Sequence, residues 1–105
     1  MVYINVPDMN DSVSSLTIDN KGFKLRFTYN GRFDYWSVRL QDLDGDLDVV
    51  TRVVPNYPLF IWYRHAKMPD GIFAALTNKD TIGRDSFRNL DAEFVYIPRS
   101  DLEEE

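Results

Sequence analysis

The strongest constraint on the fold is a strand pattern in the first third of the chain. Apolar and polar side chains alternate from Phe23 to Asn30. A period of two residues is typical of a half-buried antiparallel strand, because successive side chains point to opposite faces of a sheet. Asn30-Gly31 follows at once, and this dipeptide is a strong signal for a tight hairpin. A second alternating run, Trp36 to Gln41, then predicts the returning strand.

Short apolar runs recur along the rest of the chain and are separated by residues that favour turns. Further strands are predicted at residues 13–18, 47–54, 59–64, 72–77 and 94–97. Turns are predicted at Asp19-Asn20-Lys21-Gly22, Asp44-Gly45 and Met68-Pro69-Asp70-Gly71. About seven short strands at regular spacing predict an all-β fold, either a single small antiparallel β-barrel or a β-sandwich with short hairpins.

Composition agrees with this fold class. The chain has 105 residues, a length that fits one domain. Asp occurs 13 times but Glu only four times and Ala only four times, which disfavours helix, whereas Val, Ile and Thr together number 20. We therefore expect a single β domain over residues 1–98, with residues 1–12 as an N-terminal arm, and an acidic C-terminal tail over residues 99–105.

Charge and cysteine content exclude several functional classes. The formal net charge of -5 disfavours a nucleic-acid binder, since phosphate neutralisation requires a basic surface. The absence of cysteine excludes a disulfide scaffold and a thiol nucleophile. The first residues lack a signal-peptide pattern and no stretch is apolar enough to span a membrane, so we expect no membrane partner.

A row of carboxylates around Gly45 raises the question of a metal site. Asp42, Asp44, Asp46 and Asp48 alternate along this segment and could bind Ca²⁺. Their spacing does not match the EF-hand loop, which places Gly sixth and a bidentate Glu twelfth. The same pattern is typical of a solvated hairpin tip, and we therefore predict no metal site.

Candidate catalytic groups are few. His65 is the only histidine, and no nucleophile-elbow motif surrounds any serine. Asp85, Asp91 and Glu93 could supply a carboxylate pair for glycoside hydrolysis, although spacing alone is weak support for such a pair. A small hydrolase that uses Asp85, Asp91 or His65 remains an alternative. We predict no catalytic residues, no cofactor and no enzymatic activity.

Aromatic and arginine residues are the best candidates for a functional surface. The run from Leu59 to Arg64 is apolar on both faces, so it is either a core strand covered on both sides or a strand facing a partner. Eight of the 12 basic residues are Arg, several on predicted strand faces (Arg26, Arg39, Arg52, Arg64). Aromatic residues and Arg are enriched at protein–protein hot spots. The residues predicted to form an interface are Trp36, Tyr57, Phe60, Trp62, Tyr63 and Arg64.

Several segments resemble a known family. They are Phe27-Thr28-Tyr29-Asn30, Tyr35-Trp36-Ser37-Val38-Arg39-Leu40, Asp42-Leu43-Asp44-Gly45, Leu59-Phe60, Gly71-Ile72-Phe73 and Asp91-Ala92-Glu93-Phe94-Val95-Tyr96-Ile97. Together they are similar to the phage baseplate plug family, small components of a contractile-tail baseplate hub described from a cyanophage. The resemblance spans roughly residues 16 to 97, which is most of the chain.

The resemblance implies a structural component of a bacteriophage tail, assembled in the host cytoplasm and located in the virion at the tail baseplate. Expected partners are other tail or baseplate subunits such as hub, tube or spike proteins, with self-association in the assembly also open. The family implies no catalytic residues. A carbohydrate-binding β-sandwich module, which would also use exposed Trp and Tyr, is the alternative function.

Overall fold

The computed structural model describes residues 1–60, 68–99 and 101. Its elements are seven strands, which confirms the predicted all-β class. They are β1 (Val2–Ile4), β2 (Asp11–Ile18), β3 (Lys21–Asn30), β4 (Tyr35–Asp42), β5 (Asp48–Arg52), β6 (Gly71–Thr77) and β7 (Ala92–Pro98). In this part of the chain, no helix has the length and apolar character needed to cross a membrane.

The strands form two antiparallel sheets that are not closed. One sheet has four strands in the order β2-β3-β4-β5, so each strand pairs with its neighbour in sequence. The other has three strands in the order β1-β7-β6, which joins both ends of the domain. Val2 of β1 lies opposite Tyr96 of β7. Residues 1–12, predicted as an arm, therefore contain β1 and the first two residues of β2.

The hairpin turns differ in part from the predicted ones. Asp19 and Asn20 both have positive φ and form the two-residue loop between β2 and β3. Lys21 and Gly22, predicted as part of this turn, already belong to β3. Positive φ at both loop residues is typical of a type I′ hairpin, which suits the right-handed twist of the strands.

The hairpin predicted at Asn30-Gly31 is present, but its loop is wider than a tight two-residue turn. Asn30 pairs with Tyr35, so the loop contains the four residues 31–34. The Asn30 side chain accepts hydrogen bonds from the backbone N–H groups of Arg32 and Phe33 at 3.0 and 3.2 Å. Asn30 thus ends the strand by closing a wider loop, in which Asp34 rather than Gly31 has positive φ.

The hydrophobic core contains residues from both sheets. The alternation in β3 and β4 puts Phe27 and Val38 on the inner face, where both are fully buried. Phe27 meets Phe94 of β7 in an edge-to-face contact with ring centroids 5.0 Å apart. Phe94 in turn packs on Phe73 of β6. These rings join the inner faces of the two sheets, and the outer face of each sheet lies away from the core.

Candidate interaction surface

The outer face of the four-stranded sheet carries a row of basic side chains. In the strand register, Arg26 of β3 lies opposite Arg39 of β4. Val13 of β2 lies opposite Arg26, and Val50 of β5 lies opposite Arg39. The four residues therefore form one row across the sheet, with two arginines in the centre and a valine at each end. We call this row the arginine row.

Each arginine of the row is held by a carboxylate from the neighbouring strand, β2 for Arg26 and β5 for Arg39. Arg26 donates to both carboxylate oxygens of Asp11, at 2.8 and 2.6 Å. Arg39 donates from Nε to Asp48 at 2.6 Å and makes a second bond to the same carboxylate. The hydrogen bonds from the guanidinium groups lower the pKa of both carboxyls. Paired bonds of this kind fix the orientation of a guanidinium.

Two further basic side chains extend the positive charge of this face. Lys24 is two residues from Arg26 in β3, and Arg52 is two residues from Val50 in β5, so both side chains point to the same face as the arginine row. Both are exposed. The outward-facing acidic side chains of the four strands are Asp11 and Asp48. Four basic groups against two acidic ones make the face net positive, although the whole chain has a net charge of -5.

Large apolar side chains are exposed at several places on the domain. Tyr3, Val13, Phe33, Leu43 and Leu90 are each more than 60% exposed. Leu43 lies over Gly22, where a Cβ atom would come within 2.5 Å of its Cδ1 atom. Exposed apolar side chains near charged ones are common where a protein contacts another protein.

Trp36, predicted as an interface residue, is a core residue. Its side chain is 1% exposed, and its Nε1–H donates to the carbonyl oxygen of Gly83 at 2.9 Å. It also meets Phe87 edge to face, with ring centroids 5.8 Å apart. The indole thus fastens the loop between β6 and β7 to the four-stranded sheet and offers almost no surface to a partner.

The other predicted interface residues have different positions. Phe60 is buried at 4% exposure and contacts Phe73, so its described position is also in the core. Tyr57 is 53% exposed and follows Asn56, whose side chain bonds the backbone of Thr77 at both N and O. Tyr57 is therefore available for contact. The predictions for Trp62, Tyr63 and Arg64, together with His65, lie outside the described residues.

The carboxylates around Gly45 form the turn between β4 and β5. Asp42, Asp44 and Asp46 each place an oxygen within 4.8 Å of the others. Asp42 is largely buried, and its Oδ1 accepts a hydrogen bond from the backbone N–H of Leu47 at 3.0 Å. Gly45 has a φ of 81°, as the Asp44-Gly45 turn prediction requires. Asp42 therefore has a structural role in closing this turn.

The carboxylates considered for glycoside hydrolysis are only partly brought together. Asp91 and Glu93 line a shallow pocket of about 380 Å³ that also includes Lys79. Asp85 instead forms ion pairs with Arg84 and Arg88, with N–O distances of 3.9 and 3.4 Å. The three groups do not share one pocket lining, so this geometry adds no support for the hydrolase alternative.

The sequence pattern partly indicated the arginine row. Alternation along β3 and β4 places Arg26 and Arg39 on polar faces, but it does not say which residues lie opposite each other. That relationship depends on the strand register, which the four-residue loop at 31–34 sets. The sequence predicts a hairpin at Asn30-Gly31 but not the length of its loop, so it does not predict that Arg26 and Arg39 lie opposite each other.

A two-sheet β domain with a basic sheet face and exposed apolar side chains has the features of a protein that contacts other proteins. The chain belongs to the family described as cyanophage baseplate Pam3 plug gp18, whose family model matches residues 1–99. No curated protein matches the chain. Membership confirms the family resemblance of the sequence and indicates a structural role in a phage tail baseplate, in association with other baseplate components.

Proposed function

We propose that this chain is a non-enzymatic structural component of a bacteriophage contractile tail, which packs at the hub region of the baseplate against tube, hub or spike subunits. The observation that carries the proposal is the family match over residues 1–99. A plug must fit against its neighbours, and the exposed side chains of Tyr3, Phe33 and Leu90 supply apolar contact area. Assembly takes place in the host cytoplasm.

The carbohydrate-binding alternative has less support. Sugar-binding modules of the predicted kind would stack a sugar ring on an exposed aromatic side chain. Trp36, one of the two tryptophans, is buried in the core and bonded to Gly83, so it cannot form such a platform without local unfolding. The family match favours the structural role over this alternative.

Purified virions test the proposal directly. Mass spectrometry of intact particles and of isolated baseplates should detect the chain in both, at a constant ratio to other baseplate proteins. Electron microscopy of particles that lack the gene should show altered baseplates. Absence of the chain from purified baseplates would overturn the proposal, whatever the fold of the isolated protein.

A further inference from the structure

The arginine row combines one repulsive contact with two attractive ones. Arg26 and Arg39 lie directly opposite on one face, and like charges in this position destabilise a sheet. Asp11 of β2 and Asp48 of β5 offset part of this repulsion, because each carboxylate binds one of the two arginines. The two ion pairs support the sheet, and they also hold two guanidinium groups side by side on a partly exposed face, an arrangement that can bind a further anion.

Both guanidinium groups retain capacity to bind an anion. A guanidinium has five N–H donors, and the two bonds to a carboxylate use two of them. The remaining donors of Arg26 and Arg39 lie on the outer face, where both side chains are partly exposed at 45% and 41%. Because Asp11 and Asp48 already fix the two groups, less side-chain freedom is lost when a further carboxylate binds.

The surroundings of the pair suit a protein surface. Val13 and Val50, 61% and 52% exposed, stand at the two ends of the row. Apolar groups around a charged centre exclude water and strengthen an ion pair, as at interface hot spots. Three strand spacings of about 4.8 Å make this face about 15 Å wide, the scale of a local patch on a folded protein.

We propose that the outer face of the four-stranded sheet, centred on Arg26 and Arg39, docks onto a carboxylate-rich surface of a different baseplate subunit. This inference rests on the proposed function and specifies the surface used. Charge complementarity selects the occupant: the face is net positive, whereas the chain as a whole is acidic. Two copies related by a two-fold axis through this face would oppose like charges, which disfavours self-association here.

Zero-length carbodiimide cross-linking of purified virions tests the proposal, because this reagent joins a lysine amine to a carboxylate in direct contact. Lys24 lies on the same face as Arg26, two residues before it in β3. Lys79, an exposed lysine in the loop between β6 and β7, is the control. We expect Lys24 to be linked to Asp or Glu of another baseplate protein at a yield at least about tenfold above that of Lys79.

A pair of charge-reversal variants tests the same face without removing a bond that holds the fold. Lys24→Glu should lower incorporation of the chain into particles by about tenfold or more, in line with the loss expected for a disrupted charged contact. Lys79→Glu makes the same charge change away from the face and should incorporate normally. Circular dichroism melts of both variants verify that each is folded.

Several results would overturn the docking surface while leaving the proposed function intact. Normal incorporation of Lys24→Glu, or links from Lys24 only to a second copy of this chain, would exclude a different acidic subunit at this face. Protection of Lys24 by nucleic acid or lipid in the particle would do the same. Absence of the chain from virions is a different result, since it would refute the proposed function itself.

Discussion

Trp36 and Gly83 are 47 residues apart in sequence and are joined by a hydrogen bond of 2.9 Å from the indole Nε1 to the carbonyl oxygen. The bond connects the inner face of β4 with the loop between β6 and β7. Arg84, next to Gly83, lies over the indole ring at 5.6 Å from its centroid. One side chain therefore holds a polar loop against the core of the domain.

Replacing Trp36 with Phe should destabilise the domain by about 1–3 kcal/mol, because the Gly83 carbonyl loses its donor and a cavity forms beside Phe87. Urea unfolding followed by circular dichroism measures the change. Tyr3→Phe, at a side chain that is 66% exposed, is the control and should alter stability by no more than about 0.5 kcal/mol. Equal stabilities of the two variants would contradict this role for Trp36.

The burial of Trp36 could have been predicted from the strand pattern, whereas the pairing of the terminal strands could not. Trp36 alternates in phase with Val38 and Leu40, and all three are buried on the inner face. The prediction that Trp36 is an interface residue rests on aromatic composition, which is less informative at this position than the periodicity. By contrast, β1 has only three residues, and its partner β7 lies near the other end of the chain. No local pattern encodes such a distant pairing.

The turns also differ in how well the local sequence predicts them. The positive φ of Gly45 follows from the Asp44-Gly45 dipeptide, but Asn30-Gly31 does not form the tight turn that its sequence favours. At that site the Asn30 side chain accepts a hydrogen bond from the backbone N–H of Arg32 in the loop. The last pair of the β3–β4 ladder is Asn30 opposite Tyr35. Tertiary pairing thus decides between two loops that local propensity alone cannot separate.

Replacing Gly71 with Ala should destabilise the protein by about 1–3 kcal/mol through overpacking. A Cβ atom at Gly71 would lie 2.5 Å from the carbonyl oxygen of Ile97 and 2.6 Å from the Tyr96 hydroxyl. The backbone carbonyl cannot move without disturbing the β6–β7 pairing. The matched control is Gly31→Ala, whose nearest neighbour would be an ordinary contact at 3.5 Å from Tyr29. Unfolding midpoints that fall equally in both variants would argue against this explanation.

Tyr96 should make the domain sensitive to alkaline pH. Burial, together with the charges of Asp19 and Asp70, raises the pKa of its hydroxyl to about 12. Since the unfolded pKa is near 10, its contribution to stability is complete below that pH and is lost as the pH rises through the folded value. Chemical unfolding at pH 8 and at pH 11 measures this loss.

The Tyr96→Phe variant separates this effect from general alkaline unfolding. The Tyr96 hydroxyl is buried and has no hydrogen-bond partner among the described residues. Its removal should therefore leave stability at pH 8 unchanged or slightly higher, and it should reduce the difference between pH 8 and pH 11. An identical alkaline loss in wild type and variant would show that another group is responsible.

The carboxylates that hold the arginine row should make the protein less stable as the pH falls, whereas Tyr96 makes it less stable as the pH rises. Hydrogen bonds from Arg26 and Arg39 lower the pKa values of Asp11 and Asp48 below the ordinary value of 3.8. Their contribution to stability is therefore present above about pH 4 and is lost as the pH falls through the lowered folded values. Asp11→Asn combined with Asp48→Asn should be less stable than wild type at pH 7, and this difference should shrink at pH 2.

Unfolding curves at the two pH values, each at low and high salt, measure the effect. Both ion pairs are exposed, so high salt should also reduce the difference between wild type and the double variant at pH 7. A control that combines Asp80→Asn with Asp91→Asn removes two exposed carboxylates away from the arginine row, so it makes the same change in net charge. If the double variant and this control respond alike to pH and to salt, the two carboxylates do not stabilise the row. If only the double variant responds, Asp11 and Asp48 stabilise the fold through their bonds to the two arginines.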